Sequence, residues 1–171
     1  MPESLKMKNK VVSFDNVRVT FSITDMVNSA PVFISEKFPT FHENVLSFIV
    51  KEKLEVETVI EIEIIENTIK KNRGKGKGSK ALSKFIKKYV NEHTLVILEA
   101  GILVSQNNDP ASEEKESSIL AKLSSFYKRN NFQQIYNFKS SNLIRIPFVF
   151  DNEAGKYLIN ADIETLKEDA S

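Results

Sequence analysis

The stretch from Leu54 to Val104 constrains the fold of this chain most. Leu54–Ile65 alternates, with Val56, Thr58, Ile60, Ile62 and Ile64 on one face and Glu55, Glu57, Glu61 and Glu63 on the other. Period two over such a length marks a half-buried strand, its second face left to water or to electrostatic work. Asn72-Arg73-Gly74-Lys75-Gly76-Lys77-Gly78-Ser79 follows and holds three of the chain's five glycines. From Ser79 to His93, Leu82, Phe85, Ile86, Tyr89 and Val90 recur at helical spacing, while Lys80, Lys84, Lys87 and Lys88 fall on or near the wet side. Leu95–Val104 is nearly all apolar, as expected of a strand covered on both faces. A strand, a glycine turn, a helix and a second strand imply a right-handed crossover with the two strands parallel.

The flanks add antiparallel pieces. Lys10–Phe14 and Val17–Ile23 suit two strands around Asp15-Asn16, a pair that accepts the positive φ of a tight turn. Phe41–Lys51 is a predicted helix with Val45, Leu46 and Ile49 on one face. Ser105–Ser118 is a polar loop, and Ile119–Arg129 a second amphipathic helix that Asn130-Asn131 ends. Phe132–Phe138, Leu143–Phe150 and Lys156–Asn160 are predicted to close the sheet, and Leu143–Phe150 offers an edge for a homodimer. His42 and His93 are expected at the surface. The fold class is mixed α and β, and 171 residues suit one domain.

The bulk chemistry excludes several classes. No run approaches the ~20 apolar residues of a membrane span, and Met1–Lys10 has no apolar signal core. Cysteine is absent, which fits a cytoplasmic protein. The two histidines stand far apart, so no metal site is expected. A net charge of +1 argues against nucleic acid as the main partner. The charge is nevertheless uneven. Glu55–Glu66 carries only acidic groups, whereas Lys70–Lys88 carries nine basic residues and no acidic one. Function is expected at that junction.

A glycine turn before a helix lets backbone amides approach an anion closely, and the helix aims further amides and its positive dipole end at the same place. Arg73, Lys75 and Lys77 add charge, so a phosphate or diphosphate site is expected. The spacing fails the nucleoside-triphosphate loop G-x-x-x-x-G-K-[ST] and the dinucleotide fingerprint G-x-G-x-x-G.

It does fit [QR]-x-x-G-x-G/A, as Arg73-x-x-Gly76-x-Gly78. Here the chain resembles the GNAT superfamily of acyl-CoA-dependent N-acetyltransferases. Phe126-Tyr127-Lys128-Arg129-Asn130-Asn131-Phe132 is similar to that family's aromatic-Tyr-x-x-x-Gly-Phe signature, with Asn131 in place of Gly. The resemblance covers residues 54–138, an acyl-CoA-binding core; residues 1–53 are atypical and 139–171 supply closing strands and a tail. It implies a central mixed, mostly antiparallel sheet with a splayed parallel strand pair and flanking helices. It implies acetyl-CoA as cosubstrate, no metal, and a transferase acting on a primary amine of a small molecule or a protein. Asn67, Thr68 and Ile69 would pair with pantetheine, and Arg73, Gly74, Lys75, Gly76, Lys77, Gly78 and Ser79 would hold the diphosphate. The thioester would lie between the splayed strands, polarised by a backbone N–H.

The amine must lose a proton before it attacks, because an alkyl ammonium has a pKa of about 10. Register to the motif makes Glu63 the first candidate base, with Glu61 and Glu66 as alternates. Glu99 interrupts an apolar strand and is a candidate partner for the substrate ammonium. Tyr127 is either the acid toward the departing thiolate or a core aromatic. A different reading keeps the fold without catalysis: a binding module whose basic segment 70–88 holds an acidic partner or nucleic acid.

Overall fold

The computed structural model describes residues 8–27, 40–67, 76–100, 121–135 and 146–161. Strands β1 (Lys8–Phe14) and β2 (Val17–Asp25) form a hairpin around Asp15 and Asn16, whose φ angles are 49° and 69°. Two left-handed residues are what a tight two-residue turn demands, and Asp and Asn tolerate that region better than branched residues. Helix α1 (Phe41–Lys51) starts where Thr40 Oγ1 accepts the Glu43 N–H at 3.1 Å. It ends with the Leu54 N–H donating to the Ile49 carbonyl at 3.1 Å and with Lys53 at φ 50°. Lysine occupies a position that suits glycine. Lys53→Gly is expected to raise stability by about 0.5–1 kcal/mol in urea unfolding.

The cap takes Leu54, and the Val56 N–H turns back to the Leu54 carbonyl at 2.9 Å, so β3 runs over Thr58–Asn67 rather than over Leu54–Ile65. Helix α2 (Lys77–Tyr89) ends at Val90, whose backbone is extended, short of the expected His93. Strand β4 (Thr94–Ala100) follows, then α3, described over residues 121–129. Asn131 leaves α3 at φ 66°, the left-handed exit expected of the Asn-Asn pair. Strands β5 (Phe132–Gln134) and β6 (Ile146–Phe150) and the one-turn helix α4 (Lys156–Ile159) complete the described chain.

The six strands form one mixed sheet in the order β1-β2-β3-β4-β6-β5. Only β3 and β4 run parallel among these pairs. Two expectations change. Lys156–Asn160 is helical, because Asn152 Oδ1 takes the Gly155 N–H at 2.8 Å and winds the chain into a turn that buries Leu158. A three-residue apolar run cannot by itself distinguish strand from helix. Residues 146–150 pair with β4 on one side and β5 on the other, so these residues offer no edge to a second copy, and residues 143–145 lie outside the described residues.

Both faces of the sheet are packed. On one, α1 and Leu158 of α4 cover Val59, Leu95, Ile97 and Val149. On the other, α2 and Tyr127 of α3 cover Phe21, Ile60, Ile62, Val96, Leu98 and Phe148. The described helices include none long and apolar enough to cross a membrane.

Candidate functional site

The parallel ladder between β3 and β4 runs from Thr58↔Thr94 to Ile62↔Leu98. Both strands continue past it: β3 to Asn67 along β2, and β4 to Ala100 along β6. At the same level β3 bulges. Phe21 faces Ile62 and Thr20 faces Ile64, so Glu63 is the extra residue between them. A bulge bends its strand and disrupts the local ladder, and such devices gather beside functional sites.

Helix α2 packs on the face of the sheet that carries Ile60 and Ile62. Gly76 is its N-cap at φ 74°, no side chain caps it, and its first turn holds no acidic residue. Amides at the start of α2 therefore meet lysines and no competing carboxylate on their own turn, an electrostatic setting for an anion. Gly78 lies close to α3: a Cβ there would stand 3.4 Å from the Phe126 ring, at the edge of ordinary contact. Asn130 Nδ2 donates to Ser79 Oγ at 3.1 Å and to the Phe126 carbonyl at 2.8 Å, tying the end of α3 to the first turn of α2. Thus the glycine motif and the aromatic signature, far apart in sequence, meet at one place. Thr68, Ile69, Arg73, Gly74 and Lys75 lie outside the described residues. Asn67 ends β3 opposite Val17.

The glutamates separate by environment. Glu63, at the bulge, is exposed. Glu66 lies opposite Arg18 in the β2 register. Glu61 is half-buried beneath α1, its Oε2 3.8 Å from His42 Nδ1. Its cross-strand partners are Ser22 on β2 and Ile97 on β4. Glu99, two residues beyond Ile97, shares that face and is half-buried. The acidic face of β3 is therefore not simply solvated: α1 covers it at Val59 and Glu61.

His42 is also not a surface residue. It is 7% exposed, and its Nε2 lies 3.5 Å from the hydroxyl of the fully buried Thr24. Burial holds its pKa below the usual 6.5, so the ring is neutral at pH 7. Sequence did carry a signal for this, since His42 precedes Val45 and Leu46 by three and four positions and so shares their stripe. His93 is half-exposed, 3.4 Å from the Glu92 carboxylate.

Tyr127 is 8% exposed, with Phe126, Phe148 and Phe132 rings at 5.2, 5.5 and 5.8 Å. Burial pushes its phenol up to about 12, so it remains a hydrogen-bond donor through the neutral range. Among the described residues no three His, Cys, Asp or Glu gather to hold a metal. The chain matches no family model, no curated protein and no solved structure.

Proposed function

We propose that the chain transfers an acetyl group from acetyl-CoA to a primary amine, as the GNAT resemblance implies. One observation carries this reading: the β3–β4 ladder stops at Ile62↔Leu98 between two chemically opposite environments. On one face packs α2, whose first turn holds no acidic residue; on the other lie Glu61 and Glu99. In this reading the strands splay beyond that pair and receive the thioester. The diphosphate rests on amides and cations of Gly76–Ser79 with Arg73 and Lys75, and the ammonium is drawn to the acidic face.

The amine nitrogen attacks the thioester carbonyl carbon after a carboxylate takes its proton, and the C–S bond then breaks. Glu61 suits the base better than Glu63, because a half-buried carboxylate is held in place and solvated less. Tyr127 acts by donating a hydrogen bond to the leaving sulfur. A phenol held at about 12 does not surrender its proton to a thiolate whose acid has a pKa of about 8.5. The thiolate therefore leaves as such or takes a solvent proton.

Calorimetric titration with acetyl-CoA is expected to show one site. Adding polyamines, aminoglycosides or lysine peptides is expected to release CoA, read with a thiol reagent. Absence of any binding heat overturns the reading.

A second reading has its own observation. Lys80, Lys84, Lys87 and Lys88 are exposed along α2, a face able to hold an acidic partner without catalysis. Lys84 is already bonded to Asp15 at 2.8 Å. Salt-sensitive DNA binding without acetyl-CoA binding would favour this second reading.

A further inference from the structure

Beneath α1, four polar side chains converge on one face of the sheet. Thr24 is fully buried, Ser22 is 1% exposed, His42 is 7% exposed, and Glu61 retains 21% of its side-chain exposure. Ser22 lies directly across from Glu61 and Thr24 directly across from Val59, so the three polar groups from β2 and β3 share the face that His42 covers. The Ser22 hydroxyl has no hydrogen-bond partner among the described residues. A buried hydroxyl left so is uncommon and costly.

The order of the groups fixes the chemistry. His42 Nε2 faces the Thr24 hydroxyl at 3.5 Å, and Nδ1 faces the Glu61 carboxylate at 3.8 Å. A carboxylate accepts and cannot donate, so a neutral ring is best satisfied with its proton on Nδ1 and with Nε2 accepting from Thr24. Carboxylate, imidazole and hydroxyl in that order resemble a nucleophilic triad. Thr24 reaches no solvent, however, so its hydroxyl orients the ring and attacks nothing.

We propose that His42 is a positioning residue for amine deprotonation. Held by Thr24, it presents an Nδ1–H toward the Glu61 carboxylate, 3.8 Å away, and orients it one residue pair before the β3–β4 ladder ends. This rests on the acyl-transfer reading. As pH falls and the ring gains a second proton, an imidazolium beside Glu61 lowers the carboxylate's basicity, so turnover falls on the acid side. Of the elements packed here, β3 contributes Glu61, β2 only the hydroxyls of Ser22 and Thr24, and β4 Glu99 on the same face; Glu43 neighbours His42 on α1.

Nitrogen-15 NMR of the two imidazoles at pH 7.5 tests the lock, with half-exposed His93 as internal control. His42 is expected as the Nδ1–H tautomer, and Glu61→Gln or Thr24→Val is expected to admit the Nε2–H form. An Nε2–H tautomer in the unaltered protein overturns the proposal. In kinetics, His42→Gln is expected to lower kcat about ten-fold, to displace the acid limb of the pH profile, and to leave the KM for acetyl-CoA unchanged. An undisplaced acid limb also overturns it. An Nδ1–H tautomer without CoA release from any amine sinks the transferase reading and leaves the lock standing.

Discussion

Glu61→Gln is expected to lower kcat by about 10²–10⁴-fold and to leave acetyl-CoA affinity unchanged. The amide keeps the size of the carboxylate but accepts no proton at neutral pH. Its neighbours across the sheet are Ser22 and Ile97, and the first turn of α2 lies on the opposite face, so the donor site is not disturbed. Glu63→Gln serves as the comparison. Glu63 is exposed at the bulge, and its replacement is expected to change kcat less than three-fold, roughly the range of a surface charge. The reverse ranking would move the base to Glu63. Parallel calorimetry with acetyl-CoA keeps loss of chemistry separate from loss of fold.

Phe85→Ala is expected to cost about 3–5 kcal/mol, read as a fall in Tm of roughly 10 °C. The ring is fully buried on the inner face of α2. It meets Phe21 of β2 edge-on at 4.7 Å and Tyr89 at 5.1 Å, and Phe21 and Tyr89 are themselves 5.1 Å apart. Truncation removes a large apolar surface and leaves a cavity that three elements cannot close together. Phe85→Leu is expected to lose less than half as much, because it refills part of the volume. Equal losses for Ala and Leu would show that ring geometry, not volume, dominates this contact.

Residues whose local pattern decides their conformation were legible in the sequence. Asp15-Asn16 reads as a turn because both residues tolerate positive φ, and α1 is legible in the stripe of Val45, Leu46 and Ile49, all of which are buried. The alternation of β3 fixed its inward residues Ile60 and Ile62. Alternation says nothing about what lies over the other face, so the cover that α1 places on Glu61 was not legible. His42 was missed for the same reason: a polar residue on an apolar stripe is ambiguous until its partners on another element are known. At the glycine motif, the residue pattern suggests a phosphate role for Gly78, whereas its closeness to Phe126 depends on a residue about fifty positions away. Lys156–Ile159 is helical rather than the expected strand because its turn is set by Asn152, outside the apolar run that suggests a strand.

Asn152 has a consequence for how the chain emerges from a ribosome. Its Nδ2 donates to the carbonyls of Asn91 and Thr94, at 3.2 and 2.9 Å, clasping the entry of β4 to the exit of β6. The strand that pairs with β4 thus arrives some fifty residues after it, as in Ile97↔Val149. At about 5–20 residues per second, synthesis leaves the apolar flank of β4 waiting for about 3–10 s. During that interval the nascent chain has a sticky rim, and a holding chaperone is most useful there.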